Sequence, residues 1–164
     1  MGTQLILIRH GEAAGANFPG SDADRPLTEV GQRQAQAVAA NLTRLNLKLS
    51  RLFASPLRRA QQTAEALKEA GLAEGVEVCE ALLPEKGVGA LVAFVATLGE
   101  GVFALVGHEP LLSETVETLC FGAPHGTVAL GKGSLCVLEK EEGNWRLVAL
   151  LPSRWLALPP APAE

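Results

Sequence analysis

The chain begins with Thr3-Gln4-Leu5-Ile6-Leu7-Ile8-Arg9-His10-Gly11-Glu12, and no other stretch narrows the possible folds so far. In Leu5 to Ile8, Leu and Ile alternate with nothing polar between them. A run of this kind forms a strand covered on both faces, as in the parallel sheets of α/β proteins. It stops at a permanent cation and an imidazole, and Gly11 frees the backbone immediately after them. Arg9 and His10 are therefore expected at the carboxyl end of a buried strand, the edge where open α/β sheets bind ligands.

Strands and helices then alternate. The polar loop Ala13 to Arg25 holds Gly15, Asn17, Pro19, Gly20, Ser21 and two Asp, all turn formers, and its length marks it as functional or mobile. Pro26-Leu27-Thr28 introduces a helix capped by Thr28, with Val30, Val38, Leu42 and Leu45 as its apolar stripe. Arg51 to Ala54 reads as a second strand. Ser55 suits an N-cap and Pro56 the first helical position, with Leu57, Ala60, Ala64 and Leu67 as the stripe and Gly71 as the stop. Val76 to Leu82 is expected to be a third strand, and Val88, Leu91, Phe94, Val95 and Leu98 to mark a third helix.

Val102 to Val106 is again an apolar strand. It ends in Gly107-His108-Glu109-Pro110, before a fourth helix marked by Leu112, Val116 and Leu119. This repeats the opening pattern of strand, glycine, histidine and helix. Ser134 to Leu138 and Trp145 to Leu151 pair as a hairpin about Glu141 to Asn144, and residues 153–164 read as a Pro-rich tail with a frayed end. The expected fold is α/β: a three-layer αβα sandwich whose mostly parallel sheet gains an antiparallel edge from the C-terminal hairpin. At 164 residues it is expected to form one domain, 1–164.

Charge and cysteine usage exclude several classes. A net charge of −4 argues against a nucleic-acid binder held by a general basic field, yet allows a local anion pocket. Cys79, Cys120 and Cys136 are far apart and odd in number, so buried thiols in a reducing cytosol are expected rather than a disulfide framework or zinc site. Arg9 and His10 interrupt the early apolar run, which removes the pattern of a signal peptide. The longest apolar-rich stretch, Val88 to Leu98, falls short of the ~18 residues of a membrane span. The expectation is a cytoplasmic protein with neither nucleic acid nor membrane as partner.

Three strand ends supply Arg9, His10, one of Arg58 or Arg59, and His108. Periodicity does not decide between Arg58 and Arg59. Two guanidiniums and two imidazoles suit phosphate oxygens, and helix N-termini near Ser55 and Pro110 add anion preference. No Walker loop accompanies them, and no metal or other cofactor is expected. An imidazole in such a pocket can attack phosphorus and carry a covalent phosphoryl group.

Four segments extend this into a family resemblance. Arg9-His10-Gly11 resembles the signature of the histidine phosphatase superfamily, the phosphoglycerate mutase-like proteins. Pro26-Leu27-Thr28 with Gly31 and Gln34-Ala35 is similar to its P-L-T-x-x-G-x-x-Q-A helix start, and Ser55 to Ala64 to its S-x-L-x-R-A-x-x-T-A segment. Val106-Gly107-His108-Glu109-Pro110 resembles the V-G-H-x-P form of the small SixA-type phosphohistidine phosphatases. The resemblance implies His10 as the nucleophile that becomes phosphohistidine, and Arg9, Arg59 and His108 as the phosphate pocket. It thereby selects Arg59 over Arg58.

The sequence also departs from the family. Ala16 stands where mutase-type members carry an Asn, with Asn17 one step off. The carboxylates available as a general acid are Glu80 and Glu85, and a surface position is the commoner fate of Glu. An alkoxide leaving group gains greatly from such an acid, whereas a phosphoimidazole can be protonated from solvent before its P–N bond breaks. The expected substrate is therefore a phosphorylated protein, a His-containing phosphorelay or phosphotransferase domain, with a small phosphate ester as the alternative. A non-catalytic phosphate-binding module is a third reading, which a nucleophilic histidine disfavours.

Overall fold

The computed structural model describes residues 2–156. Among these, β1 (Thr3–Arg9), β2 (Arg51–Ala54), β3 (Glu77–Val78), β4 (Gly101–Gly107), β5 (Leu135–Glu141) and β6 (Asn144–Leu151) form one sheet in the order β3-β2-β4-β1-β5-β6. The β1–β4, β2–β4 and β2–β3 pairs are parallel; β5 runs antiparallel to β1, and β6 to β5. The helices are α1 (Glu29–Arg44), α2 (Arg58–Glu69), α3 (Gly87–Ala96) and α4 (Leu111–Phe121). None is long and apolar enough to cross a membrane.

The period of two along each strand divides the core. Ile6 and Ile8 of β1, Leu52 and Ala54 of β2, and Ala104 and Val106 of β4 pack with α1 and α2. Leu5 and Leu7, Phe53, and Phe103 and Leu105 pack on the opposite face with α3 and α4. Leu5 to Ile8 are all fully buried, each stabilising the fold by about 2 kcal/mol. The absence of a polar position in that run thus reflects helices on both sides of it, the three-layer αβα sandwich.

Several element boundaries differ from expectation. The buried side of α1 is Gly31, Ala35, Val38 and Leu42 with Ala37 and Ala39, whereas Val30 and Leu45 are exposed. Leu45 lies past the last helical turn. The third strand stops at Val78 because Glu77 and Val78 form an exposed edge, while the chain beyond gains more by turning inward. A 3₁₀ turn, Glu80–Leu82, buries Leu82 completely against the α3 side of the core. Helix α3 ends at Ala96, and Leu98 packs beyond it. Ser55 is not the cap of α2, which starts at Arg58 after Leu57. The segment from residue 153 is ordered at its start: Ser153–Trp155 form a 3₁₀ turn, and Leu156 is buried where it packs with α1. Residues 157–164 of the expected tail lie outside the described residues.

Thr28 caps α1 as expected, its side chain accepting the Gly31 N–H at 3.1 Å. Two glycines then let this helix start meet the turn after β1. A Cβ on Gly11 would lie 2.4 Å from the Gly31 carbonyl oxygen, and one on Gly31 only 1.9 Å from that of Glu12. Helix propensity alone would make Gly31→Ala stabilising by about 1 kcal/mol. The clash is with backbone, which has no rotamer to escape into, so the contact decides the sign. Gly31→Ala is expected to destabilise the protein by roughly 2–3 kcal/mol, read as a lower urea midpoint. An unchanged or raised midpoint contradicts the close approach.

Candidate active site

The turn after β1 is held by three separate elements. His10 N–H donates to the Gly107 carbonyl at the end of β4 (3.1 Å), and Arg9 N–H to the Ser134 carbonyl before β5 (3.1 Å). Gly11 N–H donates to Thr63 Oγ1 of α2 (3.1 Å). The Gln34 side chain accepts from Glu12 N–H (2.8 Å), and that of Gln62 from Leu27 N–H (2.7 Å). The polar positions of the two helix-start segments thus satisfy backbone groups of the turn and of the chain entering α1.

Arg9, His10, Arg59 and His108 converge on one cavity of about 320 Å³. The two imidazoles lie with ring centroids 5.1 Å apart and planes tilted by 55°. Arg59 is 6% exposed, its Nη1 donating to the Asp22 carbonyl (2.9 Å) and its Nη2 facing Asp22 Oδ2 (3.3 Å). Arg58, by contrast, is exposed and reaches only the Asp24 carbonyl at 3.4 Å. Arg9 Nη1 donates to the Leu130 carbonyl (3.0 Å). Among the described residues, the buried side-chain atoms without a hydrogen-bond partner are Arg9 Nε, Arg59 Nε and His108 Nδ1. Buried polar atoms are seldom left unpaired, and all three belong to residues that line the cavity, whose two guanidiniums suit an anion.

Both histidines are neutral at pH 7. Burial lowers the His10 pKa to about 4; the hydrogen bond to Gly11 works against this, and the charges of Arg59, Arg9 and Lys132 add to it. Burial also lowers His108 to about 3, helped by the charges of His10 and Arg59. His10 Nδ1 lies 2.7 Å from the Gly11 carbonyl oxygen, which can only accept. The ring proton is therefore on Nδ1, and Nε2 keeps its lone pair, the arrangement of a nucleophile. His108 Nε2 lies 2.8 Å from Ser55 Oγ, which also accepts the Leu57 N–H at 3.2 Å. With Ser55 donating its proton to Nε2, the ring proton of His108 is on Nδ1.

The remaining lining residues are Ala13, Arg25, Pro84, Glu109 and Lys132, none of which stands out in the periodic pattern of the chain. Glu109 and Lys132 flank recognisable segments, but their sequence neighbours do not reveal that they face His10. Glu109 is an engaged acceptor, receiving Ser113 N–H (2.9 Å), the Ser113 hydroxyl and Leu130 N–H (3.3 Å). Glu80 and Glu85, the carboxylates considered as acids, are exposed and do not line the cavity. Ala16 and Asn17 are likewise exposed and away from it. No three His, Cys, Asp or Glu side chains among the described residues are grouped as metal ligands.

The chain resembles known proteins over most of its length. Residues 5–85 match the model of the histidine phosphatase superfamily, branch 1. The chain is 38% identical over 139 residues to an uncharacterised protein of Picosynechococcus sp. (strain ATCC 27264 / PCC 7002 / PR-6), covering 83% of this chain and 84% of the relative. It is 34% identical over 151 residues to the phosphohistidine phosphatase SixA of Escherichia coli (strain K12), covering 88% and 92%. The solved structure of the protein histidine phosphatase SixA complexed with tungstate superposes with a TM-score of 0.83 at 28% identity, covering 92% of this chain and 97% of that one.

Proposed function

Since the chain belongs to the histidine phosphatase superfamily and is a phosphatase, we propose that it acts through a phosphohistidine on His10, and that its substrate is a phosphohistidine carried by another protein. The observation that carries this reading is the set of three unpaired buried donors around a neutral imidazole. A phosphoryl group has three non-bridging oxygens. Arg9, Arg59 and His108 line the cavity together and supply donors to them in this scheme. The substrate imidazole takes a proton from solvent, His10 Nε2 attacks phosphorus in line, and the P–N bond to the leaving ring breaks. Water then attacks the phosphoryl group on His10, releasing phosphate and restoring the free imidazole. The cations stabilise charge on the equatorial oxygens in both steps. No metal or cofactor has a part in this scheme.

The placement of the carboxylates supports this substrate class. Glu80 and Glu85 are outside the cavity, and the Glu109 oxygens are already taken by three donors. An alkoxide would leave without help, whereas a protonated imidazole needs none. The relative named phosphohistidine phosphatase, and the similar structure solved with tungstate, a tetrahedral oxyanion, support the same reading. The partner is then a His-containing phosphorelay or phosphotransferase domain. The test compares release of phosphate from such a domain, phosphorylated on histidine, with release from a panel of small phosphate esters. Preference for the domain is expected; efficient turnover of one ester, with the domain untouched, reassigns the substrate to a small metabolite.

A further inference from the structure

Lys132 is a cation which that scheme leaves unused. It lies between Gly131 and Gly133 in the turn before β5 and lines the cavity with His10. Its backbone is fixed on both sides. Gly133 N–H lies 3.2 Å from the Arg9 carbonyl and 3.1 Å from that of His10, so the turn is bound directly to the nucleophile's own peptide. Gly133 has φ +70°, and a Cβ there would approach Gln34 Cβ to 2.7 Å, so the turn is seated tightly on α1. On the other side, buried Leu130 gives its carbonyl to Arg9 and its N–H to Glu109.

The burial gradient gives Lys132 its station. Arg59, His10 and His108 are nearly inaccessible, whereas Lys132 is exposed and so stands at the mouth. With His10 attacking from the floor, the leaving group departs through that mouth. In the scheme above the phosphoryl oxygens are served by Arg9, Arg59 and His108. Arg25, another cation of the wall, is occupied by Asp22 Oδ1 at 3.0 Å and the Ala14 carbonyl at 2.6 Å. Lys132 has no carboxylate within ion-pair distance among the described residues. A strongly hydrated ammonium on a flexible stem suits a charge carried by the substrate beyond its phosphoryl group.

We propose that Lys132 determines specificity by pairing with an acidic side chain next to the phosphohistidine of the partner protein. The proposal rests on the protein-phosphohistidine reading above. The chain is acidic overall, at −4, so its general field disfavours an acidic partner, and the attraction must come from this local, salt-screened contact.

The experiment uses two synthetic peptides, phosphorylated on a central histidine and differing only in Asp or Lys at the flanking positions. The quantity read is the ratio of their kcat/KM values. The full-length protein is expected to favour the Asp peptide by about fivefold, mainly through KM, the size of one exposed ion pair. Lys132→Gln is expected to bring the ratio close to one, Lys132→Arg to restore it, and Lys132→Glu to invert it. A ratio that Lys132→Gln or Lys132→Glu leaves at its original value overturns the proposal, as does an original ratio of one. Failure to cleave either peptide instead overturns the phosphohistidine reading on which it depends.

Discussion

His10→Ala is expected to lower kcat by at least about a thousandfold while leaving the fold and oxyanion binding largely in place. The chemical argument is that removing the nucleophile removes the covalent route altogether, leaving only direct attack by water in the same pocket. The structural argument is that His10 contributes little else. Its ring makes one hydrogen bond, to the carbonyl of the next residue, whereas its backbone N–H donates to the Gly107 carbonyl and extends the β1–β4 ladder. Alanine keeps that N–H. The cations also remain, since Arg9 and Arg59 are held by Leu130 and Asp22 and not by His10. Turnover of a phosphohistidine peptide, far-UV circular dichroism and calorimetric tungstate binding measure the three parts separately. Collapse of the fold would mean that His10 is a structural residue. Near-normal turnover would mean that the nucleophile lies elsewhere.

Arg59→Ala should have the next largest effect, a loss in kcat/KM on the order of a hundredfold or more. Arg59 is almost wholly buried, and its Nε is one of the three donors with no other partner. Its loss also removes one of the two partners of Asp22, whose carbonyl and carboxylate it holds, leaving that carboxylate paired with Arg25 alone beside an anion site. Lysine should rescue only partly, because a point charge reproduces the field but not the two-edged geometry that serves Asp22 and the cavity together. The neighbouring arginine is the control. Arg58→Ala should stay within about twofold, since that side chain is exposed and touches only the Asp24 carbonyl. Equal losses from the two substitutions would mean that a general positive field, and no particular guanidinium, binds the phosphoryl group.

The contrast between these two arginines marks how far the sequence could be read. Local pattern placed both in the first turn of α2, which is where they are. Selecting Arg59 needed the family resemblance, because helical spacing describes a helix's own faces and not what lies opposite them. The buried strands were legible for a related reason. A run such as Leu5 to Ile8 records burial on both sides, and only a covered central strand supplies that. Edges carry no such record. The two-residue β3 was overextended because Val76 to Leu82 holds apolar residues that turn under the sheet rather than continue along it.

The supporting residues were least legible. Thr63, Gln34 and Gln62 lie inside recognised segments, yet their work is to satisfy backbone groups far away in sequence. Ser55 read as a helix cap because serine before proline usually is one, while its hydroxyl is the partner of His108. Lys132 and Glu109 face the cavity from turns whose paths follow from tertiary contacts with Arg9, His10 and Leu130. No periodicity encodes contacts of that kind.

All of this depends on phosphorus becoming bonded to His10 during turnover. Rapid-quench mixing with a peptide bearing ³²P-phosphohistidine tests it directly, with the label followed into the protein and mapped by peptide analysis. The account predicts a transient label on His10, stable to alkali, lost in acid and absent from His10→Ala. Phosphate release with no protein-bound label at any time, or a label that survives acid or maps to another residue, contradicts it.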